Sequence, residues 1–565
     1  MSEKTLLTTN REDDVLKRLT TESGFSPQVK YTPADIGDFG YENDLGDPGQ
    51  YPFTRGIHRE MYRRLLWVSE VTVNKESPEK NREMLAWNVE KMGAGVWGLS
   101  SCECLKTGID PDHPLAKHDV ALSGVPYYCL DSLDRALDNV SLEHGLFIEH
   151  GAESTWEDAF LFSLFMALVE KRGADKNNVR GSNVNDPLLN HTCKLVATDY
   201  WPFEIPLRLH DDIIEYAIKH LPKWRPFTVC GYDWGDIGCN AVWQVALNVG
   251  ISMSYIDHVM KDRGLKYEQL GNKFGFSFPM DMDLFENVTK LRAARRMWAK
   301  VARERYGAED PKLGKVISWT FPRGTMLTAQ HPHANIARLT IACLSMILGG
   351  TNTICMNCYD EAARIPSQES QLISTYIERM LAHESGVALT ADPLGGSYYV
   401  EWLTNKIEEE AWEIIEQMEA RGGAIGAYKD GWLSVEVQNQ IEARYRDIEE
   451  GKTIVVGVND YEAPEEETPL SLYQYGLQNE GIDKVQEVLK AEVKKFKESR
   501  DLGLTREALL KLRSKAATKG ENLIYPMVEA WKANATKAEV LGMAREGMGY
   551  SYDGFDMIAR PTFLD

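Results

Sequence analysis

The pattern of hydrophobic and polar residues changes repeatedly between residues 60 and 400, where short apolar segments alternate with longer amphipathic ones. The short segments, such as 225-RPFTVCGY-232 and 315-KVISWTF-321, have the length of buried strands, and the long segments 284–307 and 334–350 carry apolar residues at helical spacing. Such strand-helix alternation predicts an α/β fold, and a (β/α)8 TIM barrel closes that many parallel strands economically. The apolar helical face of 284–307 is formed by Leu284, Val288, Leu291, Ala294 and Trp298.

The rest of the chain differs in composition from this central region. Residues 1–50 are polar and rich in Gly, Asp and Pro, which predicts an extended N-terminal arm. We expect the barrel to occupy residues 51–405 and a helical extension of it to occupy 406–458. The last part, 459–565, begins with an acidic, Pro-containing run typical of a linker and continues with amphipathic helices.

Composition and charge narrow the class of protein. The chain of 565 residues has 43% hydrophobic and 26% charged residues, as ordinary soluble globular proteins do. Its formal charge of −22 argues against nucleic acid and against an anionic membrane surface as partners. No apolar run reaches the roughly 20 residues that span a bilayer, and the first residues lack the apolar core of a secretory signal. We therefore expect a cytoplasmic protein.

The nine cysteines do not suggest a disulfide framework, because their number is odd and their surroundings are apolar. Cys102 and Cys104, and likewise Cys355 and Cys358, are closely spaced, but neither pair has a second Cys or His pair at zinc-ligand spacing. We expect reduced, buried thiols and no metal site.

Five segments carry a more specific signal than periodicity does. Each segment alone is weak evidence, but together and in this order they resemble the large, substrate-binding part of the methylmalonyl-CoA mutase family. The members of this family are the adenosylcobalamin-dependent acyl-CoA mutases. The similarity extends from about residue 30 to 545. The segments are 51-YPFTRGIHREMYRRLLW-67, 290-KLRAARRMWAK-300, 349-GGTNTICMNCYDEAARIP-366, 384-ESGVALTADPLGGSYYVEWLT-404 and 522-NLIYPMVEAWKANATKAEV-540.

The resemblance implies a barrel whose axis is threaded by an acyl-CoA, and a cobalamin-binding domain that caps its carboxyl-terminal end. In the family that domain carries the cobalt ligand in the motif Asp-x-His-x-x-Gly, which does not occur in this sequence. The implied cofactor is therefore adenosylcobalamin with its cobalt ligand on a separate small cobalamin-binding subunit. Residues 459–565 are then expected to contact that subunit, in a heterotetramer.

Three residues correspond to cofactor contacts of the family. Glu361, in YDEAARIP, matches a glutamate that contacts the adenosyl ribose, and a carboxylate can accept from both ribose hydroxyls. Gly324, in FPRGTMLT, matches a glycine where adenine lies close to the backbone, and Asp236 stands where the family has a glutamate. The alternatives are a helix N-terminal acid for Glu361 and an ordinary turn glycine for Gly324.

Arg208, in PFEIPLRLH, matches an arginine that binds the free carboxylate of the substrate in the family. A guanidinium fork suits bidentate recognition of a carboxylate, so its presence favours a substrate with a second carboxylate. The alternative is a surface or inter-subunit ion pair.

The residues that correspond to the surroundings of the acyl group depart from the family pattern. The tyrosine of the family's Gly-Tyr-Asp-Ser-Asp is Ile109, and the glutamine that precedes Asn185 is Val184. Both changes replace a hydrogen-bonding side chain with an apolar one, which would admit a larger or more apolar acyl branch.

In 231-GYDWGD-236, Tyr232 is retained, but the histidine that binds the thioester carbonyl in the family is replaced by Asp233. An ionised carboxylate cannot donate to a carbonyl. Three alternatives remain open: Asp233 is protonated by burial, binds a hydroxyl of the substrate, or pairs with His150 or Arg208.

Three further residues correspond to contacts with the CoA part of the substrate. Tyr62 matches an aromatic residue along the pantetheine, and Arg64 lies near the nucleotide end of the family tunnel. Lys273 falls where the family has a phosphate-binding arginine, and it keeps the charge without the fork. The alternative for each basic residue is a solvated surface group.

The leading hypothesis is therefore the large subunit of a carbon-skeleton mutase for a bulky, branched dicarboxylic acyl-CoA, an alkyl- or aryl-substituted malonyl- or succinyl-CoA. Its catalytic candidates are Tyr232, Asp233 and Arg208. Ile109 and Asp233 also suit a 2-hydroxyacyl-CoA mutase of the 2-hydroxyisobutyryl type. The alternative outside this class is a non-catalytic scaffold that has lost the thioester-binding histidine.

Overall fold

The structure is a computed structural model that describes residues 18–70, 76–117, 119–122, 124–150, 156–193, 201–364, 366–462, 482–554 and 556–565. The strands are β1 (Val68–Glu70), β2 (Trp97–Leu99), β3 (Leu146–His150), β4 (Arg180–Val184), β5 (Trp224–Arg225), β6 (Phe227–Val229), β7 (Phe274–Met280), β8 (Ile317–Pro322) and β9 (Thr353–Cys355). The helices are α1 (Pro78–Met92), α2 (Glu103–Lys106), α3 (Leu130–Ala136), α4 (Glu157–Lys171), α5 (Pro187–Cys193), α6 (Glu204–His220), α7 (Gly231–Ile237), α8 (Ala241–Arg263), α9 (Tyr267–Leu270), α10 (Leu284–Glu304), α11 (Ala334–Gly349), α12 (Gln368–His383), α13 (Tyr398–Glu419), α14 (Gly423–Lys429), α15 (Trp432–Glu449), α16 (Ile482–Ser499), α17 (Leu502–Ala516), α18 (Ile524–Lys532) and α19 (Lys537–Gly547).

The strands form one closed parallel barrel. Five of them run in the order β1-β9-β8-β7-β6 and four in the order β2-β3-β4-β5, and the ladders between them are parallel. β5 and β6 are two parts of one strand that is interrupted at Pro226, which has no N–H to donate to a ladder. At the other seam the Gly95 N–H donates to the Ser69 carbonyl at 2.8 Å. Eight strand positions thus surround one axis, which confirms the predicted (β/α)8 barrel.

Side chains alternate between the helix layer and the axis along each strand. Trp224 points outward, because its ring lies 5.6 and 5.7 Å from those of Phe162 and Phe165 on α4. Its neighbour Arg225 therefore points towards the axis. The predicted apolar face of α10 is largely buried against the strands, and Trp298 packs 4.8 Å from Phe274 of β7.

Two of the predicted secondary-structure boundaries are informative. The helices predicted over 284–307 and 334–350 are present as α10 and α11. The strand predicted over 225–232 ends earlier, because α7 begins at Gly231. A Cβ at Gly231 would lie 1.9 Å from the Asn248 amide nitrogen and 2.3 Å from the Ser277 carbonyl oxygen, so only glycine allows the chain to turn there.

The C-terminal helices pack against the outside of the barrel. On α18, the Trp531 indole N–H donates to Ser163 of α4 at 2.9 Å. The Asp212 carboxylate of α6 accepts from the Leu523 N–H at 3.0 Å. α16 covers the segment that follows β2, with Leu489 and Val493 buried in one cluster with Cys104 and Tyr128. Most of the linker predicted to begin at residue 459 lies outside the described residues.

The described part of the N-terminal arm, from Arg18 onwards, lies against the barrel. Arg18 pairs with Asp283, and the Ser23 N–H donates to Glu286 at 3.0 Å, both at the start of α10. Tyr31 lies with its ring 5.0 Å from that of Trp402 on α13. Over the described ranges, none of the helices is both long enough and apolar enough to cross a membrane. Eight of the nine cysteines are buried, as predicted, and Cys193 is part-buried.

Candidate active site

The carboxyl ends of the parallel strands meet at one face of the barrel, where active sites of such barrels lie. α7 starts at this face and carries three of the predicted residues, Tyr232, Asp233 and Asp236, all of them part-buried. The Tyr232 N–H donates to the Ser277 hydroxyl at 3.1 Å, which fixes the first turn of α7 to β7. The ring of Tyr232 lies 4.7 Å from that of Phe321 on β8.

The predicted adenine-contacting glycine lies beside this helix. A Cβ at Gly324 would lie 3.4 Å from the Tyr232 hydroxyl oxygen and 3.5 Å from a carboxylate oxygen of Asp236. The Thr325 N–H donates to the same carboxylate at 3.0 Å. The absence of a side chain at Gly324 therefore leaves a flat opening against Tyr232, bounded by a fixed carboxylate.

Glu361 lies after β9 and faces the same group. Its carboxylate accepts from the Cys358 N–H at 2.7 Å, and Cys358 is its only hydrogen-bonding partner among the described residues. Burial, followed by the nearby charge of Asp360, raises the pKa of Glu361 to about 7. Burial and then the charges of Asp236, Asp233 and Glu361 raise the pKa of Tyr232 well above its usual range, so its hydroxyl remains a donor. The structure thus brings Tyr232, Asp236, Gly324 and Glu361, each matched separately to a family position, to the same face of the barrel.

A buried arginine next to the predicted residues holds the site together. Arg323 is fully buried, and its guanidinium pairs with Glu22 at 2.6 Å and Asp281 at 3.2 Å. It also donates to the carbonyls of Gly235 and Cys239 at the end of α7. Arg323 thereby joins the ends of β7, β8 and α7 to the N-terminal arm.

Along β8, alternate residues mark the levels of the barrel interior. Ile317 lines a cavity at the amino-terminal end, Trp319 lies above it, and Phe321 contacts Tyr232. Trp319 lies 5.2 Å from the ring of His150 on β3. The Nε2 atom of His150 lies 2.8 Å from a carboxylate oxygen of Glu70, so this histidine is engaged by Glu70.

Val184 and Asn185 lie where β4 ends, and both are buried. Val184 is part of the main apolar core. The side-chain amide of Asn185 is only 2% exposed, and neither its nitrogen nor its oxygen has a hydrogen-bonding partner among the described residues. Because buried amides are nearly always paired, this orphaned amide fits a residue that contacts a bound ligand.

At the amino-terminal end, a cavity of about 660 Å³ opens at the starts of the strands. Tyr62 and Arg64, which correspond to CoA contacts of the family, are among the residues that line it. The Tyr62 hydroxyl donates to the Thr351 carbonyl at 2.6 Å, which holds its ring at the cavity wall. Arg59 also lines the cavity, and its arginines outnumber its one carboxylate, Glu60, so the lining is basic in a chain of strongly negative net charge.

Arg225 is a cavity residue that sequence reasoning missed. Its Nε is buried without a partner, and none of the described carboxylates pairs with its guanidinium. Burial lowers its pKa to about 10. Burial and then the charge of Arg225 lower the pKa of the predicted residue Lys273, so Lys273 lies near Arg225. The Lys273 ammonium donates to the Pro222 carbonyl. Alternation along 224–229 could have revealed Arg225, since an apolar strand with one inward arginine is unusual.

Two predicted residues, Arg208 and Ile109, lie away from this grouping. The Arg208 guanidinium donates to the carbonyls of Ala516, Thr518 and Glu521 at 2.9 to 3.0 Å. It fastens the loop between α17 and α18 to the outer helix α6, so this geometry does not suit a clamp on the substrate carboxylate. Ile109 is part-buried against the cluster covered by α16, on a loop whose Asp110 pairs with Lys497 at 3.0 Å.

Comparison with known proteins agrees with this arrangement. Residues 20–550 match the family described as methylmalonyl-CoA mutase. The 2-hydroxyisobutanoyl-CoA mutase large subunit of Aquincola tertiaricarbonis is 30% identical over 524 residues, which cover 92% of this chain and 90% of that protein. The methylmalonyl-CoA mutases of Rhizobium meliloti and Escherichia coli are each 30% identical, over 94% and 92% of this chain and 72% and 70% of their own lengths. With the barrel and the grouping of Tyr232, Gly324 and Glu361, these matches show that the chain belongs to the methylmalonyl-CoA mutase family, a family of isomerases.

Proposed function

We propose that this chain is the large subunit of an adenosylcobalamin-dependent mutase that rearranges the carbon skeleton of a branched 2-hydroxyacyl-CoA. The observation that carries the proposal is the arrangement along one axis. A basic cavity that contains the part-buried Arg225, with which none of the described carboxylates pairs, opens at one end of the barrel, and a group of carboxylates with Tyr232 lies at the other end.

The separation of the two ends suits an acyl-CoA. From Arg225 to Tyr232 the chain advances by seven residues, or roughly 20 Å if fully extended. The pantetheine arm has two amide units and is about as long as four or five extended residues, roughly 15 Å. A CoA whose phosphates lie near Arg225 would therefore bring its thioester close to Trp319 and its acyl group close to Tyr232.

The residues at the carboxyl-terminal end fit the adenosyl part of the cofactor. Gly324 leaves free the space beside Tyr232 that a side chain would occupy, and Glu361 offers a part-buried carboxylate with only Cys358 as its donor among the described residues. Adenosylcobalamin, when bound, supplies the radical that takes a hydrogen atom from the acyl group. The chain would hold the ribose hydroxyls at Glu361 and the adenine at Gly324.

The other side chains of this end would orient the acyl group and exclude water. Phe321 and Trp319 form an aromatic wall below Tyr232, and such a wall protects a reactive species from solvent. Tyr232 keeps its proton because burial and three carboxylates oppose its ionisation, so its hydroxyl can donate a hydrogen bond and does not become a phenolate. Asp233, on the same turn, would accept a hydrogen bond from a hydroxyl of the substrate.

Two observations favour a 2-hydroxyacyl group over a dicarboxylic one. Arg208, the basis of the dicarboxylic hypothesis, binds main-chain carbonyls on the outer side of the barrel. Asp233 beside Tyr232 suits a hydroxyl and would repel a second carboxylate. The 2-hydroxyisobutanoyl-CoA mutase large subunit, similar over nearly its whole length, supports the same choice.

The proposal includes a separate small subunit that carries the cobalt ligand. The similar large subunit is covered over 90% of its length, and the motif Asp-x-His-x-x-Gly does not occur in the sequence. The carboxyl-terminal face of the barrel, with Gly324 and Glu361, is the surface that such a subunit would cover.

The test is an isomerisation assay of the full chain with a small cobalamin-binding subunit and adenosylcobalamin. We expect kcat/KM for 2-hydroxyisobutanoyl-CoA to exceed that for methylmalonyl-CoA at least tenfold, and Asp233→Ala to reduce this ratio. Preference for methylmalonyl-CoA would contradict the 2-hydroxyacyl assignment. Binding of acyl-CoA without turnover of any branched acyl-CoA would favour the non-catalytic scaffold.

A prediction about the cavity follows from the unpaired charge of Arg225. Replacement by methionine (R225M) should raise KM for the acyl-CoA about tenfold and leave kcat nearly unchanged, since hydrogen bonds between charged groups contribute about 1.5–3 kcal/mol. The matched control is R82M, because Arg82 is a surface residue paired with Asp138 on the outside of the barrel. With an acyl-pantetheine, which has no nucleotide, R225M and the unmodified protein should behave alike. An equal loss with both substrates would argue against phosphate binding.

A further inference from the structure

Trp319 is a buried interior residue of the barrel whose indole N–H has no role in the assignments above. It lies in the middle of β8, where it pairs in register with Ser277 on one side and Thr353 on the other. Its ring faces His150 across the interior and packs 4.5 Å from Phe321. The cavity residue Ile317 precedes it by two positions on the same face. Trp319 thus stands between the CoA cavity and the group around Tyr232.

The indole N–H of Trp319 lacks an acceptor within the part of the chain that the structure describes. Its Nε1 is buried, and no hydrogen-bonding partner exists for it among the described residues. A buried tryptophan N–H usually finds a partner, because leaving it unpaired forfeits the hydrogen bond that it makes with water in the unfolded chain. At this place on the axis, an atom of a bound ligand could supply the acceptor.

We propose that the Trp319 indole N–H donates a hydrogen bond to the thioester carbonyl oxygen of the acyl-CoA. The inference rests on the proposed function, which places the thioester at this level of the barrel. The carbonyl is directly attached to the carbon skeleton that rearranges beside Tyr232. Its oxygen would therefore lie one level nearer the CoA cavity than Tyr232, which is the level of Trp319.

The neighbouring side chains leave this role open. An ionised Asp233 has no proton to donate, and the Nε2 of His150 is engaged by Glu70 at 2.8 Å. The Tyr232 hydroxyl is one level higher, beside Gly324. A neutral N–H donor also suits the site, because it polarises the carbonyl without placing another charge in an interior that already holds several carboxylates.

The test compares two ligands of the full chain by calorimetric titration, without cofactor or small subunit. One is 2-hydroxyisobutanoyl-CoA, and the other is the corresponding thioether, which keeps both pantetheine amides and lacks only the thioester carbonyl. W319F, which keeps an aromatic ring and removes the N–H, should bind the thioester about tenfold more weakly and the thioether within a factor of two of the unmodified protein. The thioether affinity serves as the internal check that the variant is folded.

The matched control is W298F, which makes the same change in a buried tryptophan on α10 outside the barrel, and it should bind both ligands as the unmodified protein does. If W319F loses both ligands, the same comparison is made with W319Y, whose hydroxyl cannot occupy the position of the indole nitrogen. Equal loss of both ligands in both variants, or no selective loss of the thioester, overturns the proposal. Failure of the unmodified protein to bind either ligand would instead contradict the proposed function.

Discussion

Replacement of Glu361 by glutamine is expected to weaken activation by adenosylcobalamin about 10- to 100-fold, because a hydrogen bond to an ionised acceptor contributes about 1.5–3 kcal/mol. The glutamine side chain keeps the shape of the glutamate and the contact with the Cys358 N–H, but it loses the charge that would bind the ribose hydroxyls. The measurement is the cofactor concentration that gives half-maximal turnover, with the small subunit in excess. KM for the acyl-CoA should change little, because the cavity that binds CoA is at the other end of the barrel.

The pH dependence of the same variant gives an independent check. The pKa of Glu361 is raised from its ordinary value of 4.5 to about 7, chiefly by burial. Its contribution to folding stability is therefore full below pH 4.5 and is lost as the pH rises to about 7. Cofactor activation, which needs the ionised form, should strengthen over the same range in the unmodified protein. E361Q should show neither the change in stability nor the change in cofactor activation. If cofactor activation of E361Q still changed near pH 7, the titrating group would be another residue.

A matched control for E361Q is Glu369→Gln. Glu369 is exposed in the first turn of α12, shortly after the same loop, so its charge is lost without a change in the site. Equal weakening of cofactor activation in both variants would indicate a general electrostatic effect.

Replacement of Arg292 by methionine is expected to lower the free energy of unfolding by about 3–5 kcal/mol. Arg292 is 1% exposed on α10, and it pairs with Asp392 at 2.6 Å and with Glu401 at 2.5 Å. Its removal would leave two buried carboxylates without this cation, although Arg55 still reaches Asp392 at 3.1 Å. Urea denaturation at neutral pH measures the loss, which should shrink as the pH is lowered and the carboxyls are protonated.

K300M is the control on the same helix. Lys300 pairs with Glu408 at 2.7 Å but is 29% exposed, and Arg296 also pairs with Glu408. The loss of such a half-exposed pair should be below about 1 kcal/mol. A similar loss in R292M and K300M would mean that the buried network contributes no more than a surface pair.

The barrel could be predicted from the sequence because the strand and helix patterns that indicate it are local and recur along the chain. Apolar strands and amphipathic helices alternate regularly, and the apolar face of α10 was correctly identified from helical spacing. Tyr232, Gly324 and Glu361 could be associated because each matches a functional position of the family that the sequence resembles, and in the structure each follows a strand, at the face where parallel strands end. Gly324 lies beside the Tyr232 hydroxyl, and the charge of Glu361 acts on the pKa of Tyr232.

The remaining features depend on contacts between distant parts of the chain. Arg208 has the chemistry of a carboxylate clamp, but its direction is set by the loop after α17, more than 300 positions away in the sequence. The change from strand to helix at Gly231 depends on Asn248 and Ser277, which no local pattern connects to it. Trp319 and Arg225 look like ordinary strand residues in sequence, and what distinguishes them is the combination of a position in the barrel interior with a buried polar atom that has no partner among the described residues.

The cavity at the amino-terminal end has a further consequence for the thermal behaviour of the protein. In most barrels of this kind the interior is filled by layers of branched side chains, which supply cohesion whether or not a ligand is present. Here about 660 Å³ is open, so part of the cohesion would come from the ligand itself. At a ligand concentration of 100 times Kd, such linkage adds about 2.7 kcal/mol to stability. The melting temperature of this chain would then report which acyl-CoA fills the barrel, before any turnover is measured.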